Sequence, residues 1–414
     1  MVHSPGFTLG VPQARPSFNR DSPVVPRSVK IVTHAKLWAF VAVMVCQFVL
    51  FEAGLRLAGG SEAAPAFQRL FMTDSRIGYR LKPGARTRYK TASFDTDIVI
   101  NSSGTRDEEI GPKAPDERRI VVLGDSLVMS VQVGLQQTFC KRLEQSLNRD
   151  PSLGPVRYRV INAGVQGYGP VEDWLFYEHV AAAFDPDVVL VALFVGNDAI
   201  EAADSAPHLG GGPVLPDVRP PTVNQPFAAS AWLRRVVRRS MVLQIVRLRL
   251  MLLTQRFGAS GDAGVERPLT VYLPTPPADV VRGLAVTRDC VSRIAALASA
   301  HGASTGVVLM PARLQVNDTD FANLQAVAAE HRQTLVRNAA TDRFKAALAG
   351  LPVPVMDALP PLFNAPRRSE MFFEDTVHLT PRGHQILADA LAQFLRDSHL
   401  VSTPRSSPVV NTGR

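Results

Sequence analysis

Ile120-Val121-Val122-Leu123-Gly124-Asp125-Ser126-Leu127 is the stretch on which the fold of this 414-residue chain turns. Its four consecutive apolar residues do not alternate, which is how a strand covered on both faces reads in a parallel sheet. The glycine and aspartate that follow end the strand in a turn. A serine on such a turn stands where its hydroxyl can be reached. In open sheets of this kind, chemistry gathers at the carboxyl ends of the strands.

Outward from this stretch the pattern alternates. Arg119–Leu123, Tyr158–Asn162, Val188–Phe194, Gly306–Met310 and Val353–Met356 read as strands. Thr138–Leu147, Val171–Ala183, Ala278–Ala300, Phe321–Ala349 and Pro381–Leu395 read as helices. Alternation of this type predicts an α/β domain with a parallel sheet between two layers of helices. Two further strand ends carry polar motifs: Asn162-Ala163-Gly164-Val165-Gln166-Gly167, and Gly196-Asn197-Asp198. No internal repeat is visible.

A serine hydroxyl attacks only if a neighbouring base takes its proton. Among nine histidines, His378 suits that task best, because Asp375 precedes it by three residues. On a turn this carboxylate can hold the imidazole tautomer and stabilise the imidazolium. His384, in Pro381-Arg382-Gly383-His384, is the nearest competitor and reads as structural at the start of the last helix. His179 and His331 fall within helical patterns. The Gly-x-Ser-x-Gly elbow of the α/β-hydrolases is missing.

Each string is short, but their order is informative: Gly124-Asp125-Ser126-Leu127, then Gly167, then Gly196-Asn197-Asp198, then Asp375-Thr376-Val377-His378. In that order, over roughly residues 118–396, the chain resembles the SGNH/GDSL hydrolase superfamily. The resemblance implies a three-layer α/β/α fold with a flavodoxin-like, five-stranded parallel sheet. It implies Ser126, Asp375 and His378 as the catalytic set. The Ser126 backbone N–H, the Gly167 backbone N–H and the Asn197 side-chain amide are the implied oxyanion donors. Family spacing from Asn162 favours Gly167 over Gly164, which then reads as a turn glycine. Gly124, Asp125, Gly196 and Asp198 are expected to support these loops. Where many relatives carry a glycine soon after the nucleophile motif, this chain has Met129-Ser130, a departure that bears on the shape of the pocket.

The activity implied is a serine esterase acting through a Ser126 acyl-enzyme on a small acyl ester, by default acetyl. The expected partner is an acylated cell-envelope or exported polysaccharide. The alternatives are O-acyl transfer to a sugar hydroxyl, lipid-ester hydrolysis at a membrane surface, and a non-catalytic binding module that keeps the fold. No metal-ligand spacing or phosphate-binding loop appears, so neither metal nor cofactor is expected. The net charge of +8 is not accompanied by a nucleic-acid-binding module, and no nucleic-acid partner is expected.

The charge is instead uneven. Arg15, Arg20, Arg27, Lys30 and Lys36 precede the apolar run Leu37–Phe51, and Glu52 and Glu62 follow it. A bilayer core asks for about 20 apolar residues, and the basic flank marks the cytoplasmic side. The expected organisation is a disordered cytoplasmic leader (1–35), a membrane anchor (36–58), a connecting region (59–117), the catalytic domain (118–398) with an insertion at about 200–277, and a disordered tail (399–414). That places the domain on the periplasmic side of a bacterial inner membrane. A cleaved signal peptide ending within 58–66 is the rival reading. Within the insertion, Ala231–Leu253 reads as a basic amphipathic helix that lies on an anionic membrane or packs on the domain. Cys46, Cys140 and Cys290 form no disulfide framework.

Overall fold

The computed structural model describes residues 34–57, 67–91, 93–210 and 266–401. Residues 1–58 and 59–414 form separate units. The first contains one helix, α1 (His34–Leu57), of 24 residues, part of whose side chains lie outside the described residues. Among the described residues, no helix is long and apolar enough to cross a membrane. The expected anchor at 36–58 therefore has no described span to correspond to it.

The second unit is built on a parallel sheet of five strands: β5 (Glu117–Leu123), β6 (Arg157–Asn162), β7 (Val188–Phe194), β8 (Ser304–Met310) and β9 (Val355–Asp357), in the order β6-β5-β7-β8-β9. This is the doubly wound order expected. Every residue of the central β7 is buried, the counterpart of its unbroken apolar run. Burying each Val, Leu or Phe side chain contributes about 1.5–3 kcal/mol. Two helices on the β6 side, α3 (Phe139–Asn148) and α11 (Pro381–Asp397), pack together, while α4 (Pro170–His179), α5 (Asp198–Ser205) and α6 (Ala278–Ala300) form a second layer. α11 begins on a Thr380 cap whose hydroxyl accepts the Gly383 N–H, with Pro381 at its first position, a start that satisfies an otherwise orphaned donor.

Two boundaries differ from the sequence reading. The expected helix Phe321–Ala349 is two helices, α8 (Asp318–Glu330) and α9 (Ala339–Leu348), interrupted where Arg332 adopts φ +56°. The expected helix Val171–Ala183 ends at His179 and continues as a 3-10 turn over Ala181–Phe184. Of the expected insertion at about 200–277, residues 200–210 and 266–277 are described and 211–265 lie outside the described residues. Ala231–Leu253 and the tail beyond Val401 lie outside the described residues.

The connecting region, in whose sequence Thr96–Ile100 alone reads as a strand, differs most. Residues 71–99 form two antiparallel hairpins: β1 (Phe71–Asp74) with β2 (Gly78–Leu81), and β3 (Arg86–Lys90) with β4 (Asp95–Val99). Leu70, Ile77, Tyr79, Leu81 and Ile98 join the same buried core as the sheet. The Thr96 hydroxyl donates to Val131 O at 2.6 Å. Asp107 pairs with buried Lys141 at 2.7 Å and accepts the Asn162 N–H at 2.7 Å. Arg106, 1% exposed, donates to the carbonyls of Met129, Ser130 and Val133 at 2.7, 2.6 and 2.6 Å. This segment is structural, and it is Arg106 that braces the loop that carries the serine.

Candidate active site

The order β6-β5-β7 puts the serine-bearing strand between the strands that lead to the two other motifs. Ser126 opens a single helical turn, α2 (Ser126–Met129), capped by Asp125, whose carboxylate accepts the Leu127 N–H at 2.8 Å. Ser126 itself is half-buried. Ser130 closes the turn at φ +53°, the left-handed region that glycine occupies most easily. Its hydroxyl donates to Leu127 O at 2.6 Å, which offsets part of the ~1–3 kcal/mol that such a conformation costs a side chain. The Met129-Ser130 departure thus keeps a glycine-like backbone.

His378 reaches Ser126 from the other end of the chain. Its Nε2 lies 2.9 Å from the Ser126 Oγ, and for Nε2 to accept the serine proton, Nδ1 must carry the ring's own. Asp375 does not meet Nδ1. It is exposed, and no hydrogen bond joins it to the imidazole among the described residues. Thr376 takes the place instead: its Oγ1 lies 3.2 Å from Nδ1 and accepts the His378 backbone N–H at 3.0 Å. The reason is the backbone. A bridge between Phe372 and Leu379, and a bond from Phe373 N to His378 O at 3.0 Å, close a tight loop over 373–378. Within this loop Asp375 faces outward and Thr376 turns back under the ring.

Arg313, at the start of α7 (Arg313–Val316), holds that loop. Its Nη1 donates to Phe373 O at 2.9 Å, to Thr376 O at 3.2 Å and to Glu374 O, while Asp320 pairs with its Nε at 2.6 Å. Thr376 lies inside the Asp375–His378 string, where residue type gave the role to the carboxylate, and Arg313 belongs to no motif.

The expected oxyanion donors stand at the ends of neighbouring strands. Gly167 is exposed and adopts φ +78° in a turn closed by Tyr168 N to Val165 O at 3.1 Å. Tyr79, from β2, donates its hydroxyl to Gln166 O at 2.9 Å. Gly164 is a packing glycine, not a turn glycine: a Cβ there would fall 2.4 Å from Met129 N. The Asn197 amide donates through Nδ2 to Glu201 Oε1 at 2.8 Å, leaving the second Nδ2 proton for a ligand. Of the expected supports, Gly124 accepts the Val165 N–H through its carbonyl at 2.9 Å. Asp198 accepts the Phe194 N–H at 2.8 Å, and Gly196 packs against the Phe194 ring.

The electrostatics behind the loops are unusual. Asp125, Glu172, Asp173, Asp198 and Glu201 are all buried or nearly so and lie within each other's field. Burial pushes Asp125 up to about 7. Burial and then its carboxylate neighbours hold Asp173, Asp198 and Glu201 well above the usual carboxylate range. Such groups hold their protons to higher pH than exposed carboxylates do, and the cluster forms a hydrogen-bonding scaffold behind the loops. Burial pushes His378 down to about 4, so it is a neutral base at pH 7. His384 is buried, accepts the Phe139 N–H through Nδ1 at 3.2 Å and is pushed down to about 3, as a structural residue should be. Among the described residues no group of three or more His, Cys, Asp and Glu is arranged to hold a metal ion.

A family model described as "SGNH hydrolase-like domain, acetyltransferase AlgX" matches residues 276–412, a span that holds Asp375 and His378. Three solved structures are similar to the chain. TesA is 14% identical over 68% of this chain and 99% of its own, with a TM-score of 0.36. The lipase/acylhydrolase from Enterococcus faecalis is 12% identical over 68% and 96%, with a TM-score of 0.35. The psychrotrophic esterase EstA from Pseudoalteromonas sp. is 10% identical over 68% and 98%, with a TM-score of 0.36. No curated protein matches the chain.

Proposed function

We propose that this chain carries a domain of the SGNH/GDSL hydrolase superfamily and is a serine-dependent acyl-transfer enzyme acting on a small, acetyl-like ester. The observation that carries the reading is the 2.9 Å approach of His378 Nε2 to the Ser126 hydroxyl. In this reading Ser126 Oγ attacks the ester carbonyl as its proton passes to His378 Nε2. The negative charge on the former carbonyl oxygen meets the N–H groups of Ser126, Gly167 and Asn197. Collapse expels the alkoxide, which takes the proton from Nε2 and leaves an acyl-serine. Water or a sugar hydroxyl then attacks, giving its proton to Nε2, and collapse returns that proton to Ser126. With its pKa pushed down to about 4, His378 is neutral and ready to accept a proton at pH 7.

Hydrolysis and transfer share every step but the last. Transfer to a sugar hydroxyl is favoured by one observation, the match of residues 276–412 to a domain described as an acetyltransferase. An acetylated envelope or exported polysaccharide is the substrate class we favour over a lipid ester. The basic flank ahead of Leu37–Phe51 supports an anchored, outward-facing placement at a bacterial inner membrane. Carbonate-resistant pelleting with membranes would bear on that placement, and a fully soluble chain would remove it.

The test of function is acetyl-ester turnover by the full chain in detergent, wild type beside Ser126→Ala, with and without added sugar acceptors. Turnover that vanishes with the serine is expected, and acceptor-dependent acetyl-sugar would select transferase. A Ser126→Ala protein equal to wild type would leave only a binding module.

A further inference from the structure

One peptide unit, Gln166–Gly167, is placed with more care than a surface turn requires. Gly167 is the third residue of the turn Val165–Tyr168, and its φ of +78° is that of a type II turn. Type II and type I turns differ by a flip of the peptide joining their two central residues, which here is Gln166–Gly167. A trans peptide points its carbonyl and N–H in opposite directions. The side that holds the Gln166 oxygen therefore decides where the Gly167 N–H is aimed. The Tyr79 hydroxyl holds that oxygen at 2.9 Å, and no other side chain among the described residues bonds to this peptide.

Tyr79 is itself fixed. It is 2% exposed, pairs with Thr73 across the β1–β2 hairpin and accepts the Tyr168 hydroxyl through its own carbonyl at 2.5 Å. Its ring meets that of Tyr168 edge-on at 5.3 Å. We propose that Tyr79 is a positioning residue for the oxyanion hole: its hydroxyl locks the Gln166–Gly167 peptide in the flip state that aims the Gly167 N–H at the reacting carbonyl. This deepens the reading of Ser126 and Gly167 given above and rests on it. Donation to the Gln166 carbonyl also polarises the peptide and strengthens its N–H as a donor. Burial, and then Glu172, keep the phenol far above its usual range of ionisation, so it remains a donor at any working pH. A lead-in with no motif of its own thereby reaches the chemistry.

The experiment compares the full chain in detergent as wild type, Tyr79→Phe and Thr96→Val. The last removes another hydroxyl-to-carbonyl bond between the same lead-in and the domain. Two readouts are taken: kcat and KM on para-nitrophenyl acetate, and the rate at which a fluorophosphonate labels Ser126. Losing an oxyanion donor costs on the order of 10²–10³ in rate, and losing only its aim should cost part of that. Tyr79→Phe is expected to lower kcat and the labelling rate about tenfold with KM within about twofold, while Thr96→Val leaves both rates near wild type. Equal rates for Tyr79→Phe and wild type would overturn the proposal. Equal losses in the two variants would also overturn it, since the hydroxyls would then serve packing alone. If wild-type Ser126 neither turns over ester nor takes the label, the proposed function falls and this inference with it, a result distinct from an active enzyme indifferent to Tyr79.

Discussion

Replacing Arg313 by methionine keeps most of the aliphatic stem and removes the group that gathers three carbonyls of the His378 loop. The nitrogen involved has two protons, so two full-strength bonds bound the loss. A hydrogen bond to a charged group contributes about 1.5–3 kcal/mol, giving ~3–6 kcal/mol before the freed carbonyls find water. The loop lies at the surface, with Glu374 and Asp375 exposed, so hydration should return about half. The partly exposed ion pair with Asp320 adds at most ~1 kcal/mol. A net loss of ~2 kcal/mol makes the displaced loop about 30-fold more populated. Arg313→Met should therefore lower kcat at least tenfold, because misplacing a catalytic group by about 1 Å can cost 10²-fold. KM for a small ester should hardly move, and the melting temperature should fall by only a few degrees, about 2–4 °C. Steady-state kinetics beside differential scanning fluorimetry reads both. A variant that melts earlier yet keeps kcat within about twofold of wild type would refute the argument, since Arg313 would then brace the fold without aiming the histidine.

Thr376→Val should reduce kcat more than Asp375→Asn does, because the hydroxyl and not the carboxylate lies 3.2 Å from Nδ1; the opposite ranking would mean that Asp375 turns inward once substrate binds. The pH–rate profile gives a second view of the same contact. With His378 pushed from 6.5 down to about 4, the acid limb of kcat/KM should lie near pH 4, whereas a limb near 6–7 would reveal a carboxylate at Nδ1. The linked effect on stability has a definite sign. Between pH 6.5 and about 4 the unfolded chain takes up a proton on this histidine that the folded chain refuses, so its contribution to stability fades as pH falls through that window. Asp173 acts in the other direction. The fold keeps its proton while the unfolded chain releases it above 3.8, so stability is lost as pH rises. Asp173→Asn should flatten that decline in melting temperature from pH 5 to 8, and parallel curves for variant and wild type would count against a protonated cluster.

The sheet was legible because its strands are buried on both faces and leave unbroken apolar runs, Val188–Phe194 being the clearest. The Ser126–His378 pair was legible because nucleophile and base are rare residue types standing at strand and loop ends. Of the hairpins in the connecting region only one strand was, read at Thr96–Ile100 and found at Asp95–Val99. β3 reads Arg-Thr-Arg-Tyr-Lys, with alternate residues exposed, and β1 and β2 have four residues each, too few to show a period. The carboxylate expected at Nδ1 was chosen by residue type, but backbone bonds within 373–378 and an arginine about sixty residues earlier decide which side chain arrives there. Glu172, Asp173 and Glu201 were not singled out, since spacing on a helix says which residues share a side and not what that side meets. Glu201 lies four residues after Asn197, the one second-layer contact that helical spacing could have suggested.

The serine and its base are 252 residues apart in the chain. At a synthesis rate of about 5–20 residues per second, roughly 10–50 s separate their emergence from a ribosome. Through that interval Ser126 has no base, and α11, which packs against α3, has yet to be made. The nascent polypeptide is thus chemically silent toward esters until almost all of it exists. A catalytic pair split in this way is born disarmed and comes together only when the chain is nearly complete.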